Sequence, residues 1–189
     1  MNLILASSSP RRRELLKSIG IIPSKIMHPD VDESLVKGED VRAYVKRIAT
    51  QKARAVHTQI PDSYVLAADT VVEMSRRILV KPVDREDAKA ILSRLSGRRH
   101  RVYTGVCVLS PEGKEAYKMV LTRISFKRLS EQELNDYLES NEWEGKAGAY
   151  SIQGSAAKFV KNLNGSYTNV VGLPLYETDS MLKGLGFRG

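Results

Sequence analysis

Apolar and polar residues follow two different periods along the chain, and each period predicts a type of secondary structure. Between residues 41 and 57 the apolar positions, Tyr44 among them, recur every three or four residues, which predicts a long helix that Asp40 can cap. The stretches 3–6 and 63–74 are apolar almost without interruption and predict buried strands. Further predicted elements are a helix that Ser9 caps and that ends at Gly20, an apolar segment at 21–27, a short strand at 78–80, and helices from Asp84 to about Leu95, over 130–140 and after Pro174.

A hairpin interrupts this alternation of helices and strands. The β-rich runs on either side of Pro111-Glu112-Gly113 predict two long strands over about residues 99–128. Helices that alternate with strands, together with one antiparallel pair, are typical of an α/β fold with a mixed twisted sheet and flanking helices. We therefore expect a single domain over residues 1–189, built as two lobes.

The composition agrees with one globular domain. Of the 189 residues, 42% are hydrophobic and 28% are charged, as in ordinary soluble proteins. No apolar run approaches the roughly 20 residues that cross a bilayer, and no basic segment precedes the first strand as in a signal peptide. Cys107 is the only cysteine, which excludes an intrachain disulfide and a cysteine-based zinc site. These features predict a cytoplasmic protein without a membrane partner.

The net charge of +8 favours polyanionic partners such as nucleotides, phosphates or nucleic acid. A basic surface that serves only solubility would have the same charge, so charge alone does not choose between them. The sequence has no helix-turn-helix or zinc signature, and Trp143 lacks the aromatic neighbours of a single-strand binding site. Nucleic acid is therefore a partner that the charge allows but that the motifs do not favour.

Three serines and three arginines surround the start of the first predicted helix, at residues 7–9 and 11–13. A helix N-terminus carries partial positive charge, so arginines there are unfavourable unless an anion binds. Backbone N–H groups, hydroxyls and guanidinium groups would together bind phosphate. Consecutive helical residues differ by about 100° in direction, so at most two of the arginines can face one ligand. The alternative is that all three are solvated.

Asp69 and Lys52 are charged residues in apolar surroundings. Asp69 follows the apolar run 65–68, at what the pattern indicates is the end of an interior strand. A buried carboxylate needs a hydrogen bond, an ion pair or a metal, and active sites collect at strand ends of α/β sheets. An aspartate that only turns the chain has the same pattern. Lys52 lies on the apolar side of the long helix, where it either reaches a cleft or extends to solvent at the edge.

Two loops supply further charged candidates. Lys81 follows the short strand at 78–80 and would reach the cleft of Asp69 if those strands are neighbours, although a solvated loop lysine has the same pattern. Asp30, Asp32 and Glu33 form an acidic loop. Their carboxylates would hold Mg²⁺ beside a triphosphate, or would simply face solvent.

Four short motifs, SSSPRRRELL, AADTVV, VKP and GAYSIQG, occur in this order along the chain. Their order and rough spacing resemble those of the Maf family of nucleoside triphosphate pyrophosphatases, over essentially the whole chain. The resemblance implies an α/β fold similar to that of inosine triphosphate pyrophosphatases, with a nucleotide cleft between two lobes. It also implies an enzyme that depends on a divalent cation, Mg²⁺ or Mn²⁺, and cuts between the α and β phosphates of a nucleoside triphosphate.

The resemblance assigns roles to individual residues. Asp69 resembles the catalytic acid of the family, and Glu33 and Asp69 are the implied metal ligands. By this resemblance, Gln153, together with Arg12 and Thr70, marks the branch that cleaves dTTP and UTP. The glutamine amide also fits the edge shared by uracil and thymine. Whether Asp69 accepts a proton from water or holds the metal stays open. The residues implied in substrate binding are Ser7, Ser8, Arg12, Arg13, Lys52, Thr70, Lys81 and Gln153.

Two alternatives to a dTTP/UTP pyrophosphatase stay open. The positive charge and the association of the family with septum formation are compatible with a non-catalytic, nucleic-acid-binding regulator of division. An enzyme that removes modified pyrimidine nucleotides would carry the same motifs. The sequence is also compatible with a homodimer.

Overall fold

Seven strands and six α-helices make up the fold in the computed structural model, which describes residues 1–189. The strands are β1 Leu3–Ala6, β2 Lys25–Met27, β3 Tyr64–Met74, β4 Arg77–Leu79, β5 Arg99–Leu109, β6 Glu115–Phe126 and β7 Val160–Asn164. The helices are α1 Pro10–Ser18, α2 Val41–His57, α3 Arg85–Leu95, α4 Glu131–Glu139, α5 Tyr167–Val171 and α6 Leu175–Gly184. Two short 3₁₀ helices, Ala147–Ala149 and Ser155–Phe159, precede β7.

The strands form one mixed sheet in the order β2-β1-β3-β5-β6-β7, with β4 paired to β3. Strand β1 is parallel to both β2 and β3, whereas β4 is antiparallel to β3 and β7 is antiparallel to β6. Parallel pairs need crossover connections, which the helices α1 and α2 supply. The predicted α/β fold with a mixed sheet is confirmed.

The predicted helix boundaries are confirmed where a capping residue marks them. Helix α2 begins after Asp40, whose carboxylate accepts from the N–H groups of Arg42 and Ala43. Helix α4 begins with a reciprocal capping box between Ser130 and Glu133. Beyond the end of α1, Gly20 adopts a φ of +78°, a conformation that favours glycine.

The structure differs from the sequence prediction in three elements. Ser9 precedes α1, but its side chain makes no capping hydrogen bond. Only residues 25–27 of the apolar segment 21–27 form a strand. Helix α5 was not predicted, because five residues are too few for an apolar period to be visible.

The chain divides into two compact units, and the boundaries between them fall inside β3, β5 and β6. Unit 1 comprises residues 1–69, 104–120 and 172–189, and unit 2 comprises residues 70–103 and 121–171. None of the helices in either unit is long and apolar enough to cross a membrane.

The core of unit 1 forms where α2 packs against the sheet through small side chains. Ala49 and Ala53 of α2 join one buried cluster with Ala6 of β1 and Ala67 of β3. Small residues on both sides allow the helix to approach the sheet closely. Residues of one face alternate along a strand, so the face that carries Ala67 continues at Asp69.

The core of unit 2 is rich in aromatic rings. His100, Phe126 and Tyr150 contact one another edge to face, with ring centroids 4.9 to 5.5 Å apart. The Nε2 atom of His100 lies 2.9 Å from the Tyr150 hydroxyl. Burial lowers the pKa of His100 to about 4, so the imidazole is neutral at physiological pH. Its role is therefore packing.

Gly105 of β5 marks the closest approach between the sheet and α2. A Cβ atom at this position would lie 2.6 Å from the carbonyl oxygen of Val45. We expect Gly105→Ala to lower the free energy of unfolding by about 2 kcal/mol, because the backbone of α2 would have to move. Urea denaturation followed by circular dichroism measures this change.

Gly184→Ala is the matched control for this substitution. Gly184 ends α6, and a Cβ atom there would meet nothing within 4 Å. The control should leave the unfolding midpoint within experimental error or raise it slightly. Equal midpoints for the two variants would show that α2 has room to move away from β5.

Candidate functional site

The candidate site forms in unit 1 around Asp69, which lies inside β3 and not at its end. The strand predicted over 63–74 is confirmed, whereas the interpretation of Asp69 as a strand end was wrong, because β3 continues from Asp69 to Met74. The pairing of β3 with β1, however, ends at Ala67, opposite Ala6. Asp69 thus lies two residues beyond the paired segment, where β1 gives way to the serine loop. It is 6% exposed.

Lys52 places a buried ammonium group between two carboxylates. Its Nζ atom lies 2.8 Å from Oδ1 of Asp69 and 2.8 Å from Oε1 of Glu33. The lysine and aspartate side chains are each 9% exposed, whereas that of Glu33 is 40% exposed. Removing an ammonium group from water costs several kcal/mol, and the two carboxylates offset this cost. Lys52 therefore does not extend to solvent at the edge of α2, and its contact with a ligand in a cleft stays a prediction.

Arg12 is the arginine of α1 that turns inward. Its Nη1 atom donates to the Ser7 hydroxyl at 3.0 Å, and its Nε atom donates to the carbonyl of Gly172 at 2.8 Å. Burial lowers the pKa of Arg12, and the carboxylates of Asp69 and Glu33 act in the opposite direction. The guanidinium group therefore belongs to the electrostatic environment of Asp69.

The other candidates near the start of α1 are open to solvent. Ser8 is exposed, and the Arg13 side chain is 59% exposed, 3.9 Å from Glu14. Arg11 is half-buried, and burial lowers its pKa. Arg12 is thus the one buried arginine of the three, whereas Arg11 and Arg13 could contact a ligand only from the solvent side of α1.

Three candidates belong to unit 2. Thr70 follows Asp69 in β3 and is half-buried, whereas Lys81 and Gln153 are exposed. Gln153 lies in a loop held by α4 and the residues after it. The Ser151 N–H donates to the Tyr137 hydroxyl at 3.0 Å, and the Ser155 N–H donates to Glu142 at 2.8 Å.

Tyr44 is a site residue that the sequence prediction missed. It was assigned to the apolar stripe of α2, and it is buried, but its hydroxyl donates to the carbonyl oxygen of Glu33 at 2.9 Å. Burial and the carboxylates of Asp69 and Glu33 raise the pKa of Tyr44, so the phenol remains a donor. The sequence signal that could have identified Tyr44 as a site residue is its position two turns before Lys52 on the same helix.

Glu33 and Asp69 are the residues of unit 1 that could hold a divalent cation. Their two carboxylates converge on one point, the Lys52 ammonium group, and the chain offers no cluster of three or more potential metal ligands. Mg²⁺ is commonly held by one or two carboxylates together with substrate phosphates and water. The donor set fits a cation that arrives with a phosphorylated substrate better than one held by the protein alone.

Comparisons with known proteins show the family to which the chain belongs. A family model described as "Maf-like protein" matches residues 2–185. The dTTP/UTP pyrophosphatase of Agrobacterium fabrum is 52% identical, over 98% of this chain and 92% of that protein. The nucleoside triphosphate pyrophosphatase of Ehrlichia chaffeensis is 51% identical, over 96% of this chain and 94% of that protein. A solved nucleoside-triphosphatase / dITP/XTP pyrophosphatase from Mycobacterium abscessus superposes with a TM-score of 0.48 at 16% identity, covering 97% of this chain and 94% of that one.

Breaking the pair between Lys52 and Asp69 should cost far more than breaking an exposed ion pair. We expect Lys52→Met to lower the free energy of unfolding by about 3 kcal/mol, because Asp69 keeps a buried charge without its cation. Adding Asp69→Asn to that variant should recover part of the loss. Urea denaturation at pH 7 and constant ionic strength measures both effects.

Lys183→Met is the control, since it breaks the exposed pair between Lys183 and Asp179 on α6. That loss should stay below about 1 kcal/mol. If the losses in unfolding free energy of Lys52→Met and Asp69→Asn simply add up in the double variant, the two residues are not coupled.

Proposed function

The chain belongs to the Maf family, and from this premise we propose that it is a nucleoside triphosphate pyrophosphatase that hydrolyses dTTP and UTP. Water attacks the α phosphorus, the bond between the α phosphorus and the bridging oxygen breaks, and pyrophosphate leaves. The products are the nucleoside monophosphate and pyrophosphate. Full-length similarity to relatives named dTTP/UTP pyrophosphatase supports this substrate assignment.

The observation that carries the proposal is the buried Asp69 carboxylate, bound by Lys52 and close to Arg12. Two cations beside a carboxylate suit a reaction in which an anionic substrate meets water. Lys52 donates to Oδ1 and so orients the carboxylate. Arg12, held by Ser7 and Gly172, presents its charge without a further loss of side-chain freedom.

The charges of these groups balance before any substrate binds. Arg12 and Lys52 are offset by Glu33 and Asp69, whereas a nucleoside triphosphate brings about four negative charges. A divalent cation, Mg²⁺ or Mn²⁺, held by Glu33 and Asp69, is therefore part of the proposal. When bound, it would offset phosphate charge and polarise the phosphoryl oxygen atoms. Lys52 would then contact phosphate or remain between the two carboxylates.

Asp69 is the residue to which we assign the reaction. Its carboxylate accepts the proton of the attacking water or holds the cation, and either role requires the ionised form. An asparagine has the same shape and can still accept from Lys52 through its amide oxygen, but it performs neither role. The isosteric substitution therefore separates chemistry from binding.

We assign recognition of the base to Gln153. The glutamine amide offers one acceptor and donors, which match the O4 and N3–H edge shared by uracil and thymine. A Cβ atom at Gly154, its neighbour, would overlap the Glu142 carboxylate, so the Glu142 side chain would have to move. The hydrogen bonds of Ser151 and Ser155 hold the loop backbone, although the Gln153 side chain is exposed. Ser7, Ser8, Arg13, Thr70 and Lys81 are the remaining residues proposed to bind substrate.

We also infer that the reaction takes place in the cytoplasm, where nucleoside triphosphates are made and Cys107 would remain a buried thiol. A role in septum formation and a homodimer stay predictions from the resemblance.

Purified protein incubated with Mg²⁺ should release pyrophosphate from dTTP and UTP, with lower kcat/KM for CTP, GTP and ATP. Asp69→Asn should lower kcat at least about a hundredfold while nucleotide binding stays within about fivefold of wild type. Detection of pyrophosphate, as distinct from orthophosphate, identifies the bond that is cut. Including 5-methyl-UTP and pseudo-UTP in the panel compares ordinary with modified pyrimidine nucleotides.

Asp62→Asn serves as the control, because Asp62 is an exposed aspartate just before β3. It should retain wild-type kinetics. Orthophosphate as the product would place the cut at the wrong bond. No turnover, together with salt-sensitive DNA binding, would favour the nucleic-acid-binding regulator.

Gln153→Glu should shift the preference away from pyrimidine nucleotides. A carboxylate has no donor for the O4 atom, so we expect the ratio of kcat/KM for UTP to that for GTP to fall about tenfold or more. Steady-state kinetics with both nucleotides measures the ratio. Gln59→Glu, at an exposed position in unit 1, should leave it unchanged; an unchanged ratio in Gln153→Glu would remove Gln153 from base recognition.

A further inference from the structure

Glu33 lies on an exposed loop, yet helix α2 contacts both its carboxylate and its backbone carbonyl oxygen. Residues 32–38 are all exposed, and the loop contains no strand or helix before α2 begins. Such a segment would ordinarily sample many conformations, since each fixed residue costs backbone entropy. Lys52 binds the Glu33 carboxylate. That single ion pair, with one partner 40% exposed, does not fix the backbone that carries it.

Tyr44 holds the backbone of the same residue. Its hydroxyl donates to the Glu33 carbonyl oxygen at 2.9 Å, and its ring is 7% exposed in the wall of unit 1. Tyr44 and Lys52 lie two turns apart on α2. One rigid helix therefore contacts Glu33 at its carbonyl and at its carboxylate.

Arg47 holds the rest of the loop. Its Nε and Nη2 atoms donate to the two carboxylate oxygens of Glu39, each at 2.7 Å, and Nη2 also donates to the carbonyl of Ser34 at 2.9 Å. The guanidinium group lies over the ring of Tyr44, 5.4 Å from its centroid. Bidentate geometry and stacking limit Arg47 to one orientation. The two side chains thus bind the loop as a unit.

We propose that Tyr44 and Arg47 are positioning residues that hold residues 33–39 in the conformation in which Glu33 reaches Lys52 and Asp69. The proposal rests on the proposed function for the part that concerns turnover, since Glu33 is there a ligand of the cation. Neither side chain touches the reacting atoms. Their effect on the reaction passes through the position of Glu33.

Two variants remove the contacts separately. Tyr44→Phe removes one hydroxyl and keeps the buried ring, so the core of unit 1 stays filled. Arg47→Ala removes the bonds to Glu39 and Ser34. Endoprotease Lys-C cuts after Lys37, which is exposed in the middle of the loop. We expect the cut at Lys37, followed by mass spectrometry, to be about three- to tenfold faster in both variants.

Each variant has a matched control on unit 1. Tyr64 also donates its hydroxyl to a backbone carbonyl, that of Leu185 at 3.1 Å, so Tyr64→Phe removes the same kind of bond elsewhere. Arg54 forms an ion pair with Glu115 at 2.8 Å from the same helix, so Arg54→Ala removes the same charge. Both controls should be cut after Lys37 at the wild-type rate.

The second readout is the hydrolysis of dTTP. Tyr44→Phe and Arg47→Ala should lower kcat about three- to tenfold with a smaller change in KM, and the controls should not. Arg47→Lys should recover part of kcat, because a lysine can still form an ion pair with Glu39 but lacks the planar fork that donates to both carboxylate oxygens. A thermal unfolding midpoint near that of wild type confirms that each variant is folded.

The outcomes separate this proposal from the proposed function. If wild-type protein does not hydrolyse dTTP, the function fails, and the Lys-C cut still tests whether the two side chains hold the loop. If the cut is no faster in Tyr44→Phe and Arg47→Ala than in their controls, the loop is held by other contacts and the proposal is wrong. A faster cut with unchanged kcat would also overturn it, because Glu33 would then need no positioning.

Discussion

The structure of unit 1 depends on one constraint, a lysine ammonium group buried beside the sheet. Lys52 lies on the apolar side of α2, where its charge cannot reach solvent without leaving the core. The free energy of that burial is tolerable only with carboxylates in contact. Asp69 on β3 and Glu33 on the preceding loop supply them, so one ion-pair network joins three chain segments that are far apart in sequence. The Lys52 ammonium group lies between the two carboxylates and holds them together.

Close packing of α2 is what makes this network geometrically feasible. Alanines face each other across the interface, at Ala49 and Ala53 on the helix and at Ala67 on the strand. Larger residues would move α2 away from the sheet, and the Lys52 ammonium group would then lie farther from the Asp69 carboxylate or lose contact with it. The glycine at position 105 serves the same close approach, because it leaves room for the Val45 carbonyl. Residues with no chemistry of their own thus set the distance on which the site depends.

The sequence was sufficient to predict helices and strands but not the side-chain contacts between them, for a physical reason. Helix α2 and strand β3 could be located because each has a long apolar pattern, and α2 has the capping residue Asp40. The contact between Lys52 and Asp69 could not be derived, because it depends on how the helix lies along the sheet. Tyr44 was interpreted as core since a buried phenol ring and a phenol hydroxyl in a site give the same apolar signal. Among the arginines of α1, helical geometry limited how many can turn inward, and only the structure shows that Arg12 does.

Burial separates the proposed site residues into two groups with different freedom to change. Asp69 and Lys52 are buried and form an ion pair, so replacing one of them leaves the other as an unpartnered buried charge or strains its remaining contacts. Arg12 is also buried, and its guanidinium group donates to Ser7 and Gly172. Gln153 and Lys81 are exposed, and a substitution there costs little folding energy. The base recognition proposed for Gln153 could therefore vary without destabilising the fold, as long as Glu142 keeps its hydrogen bond to the loop. The chemistry proposed for Asp69 lacks that freedom, because a change at Asp69 leaves the buried Lys52 without one of its two carboxylates.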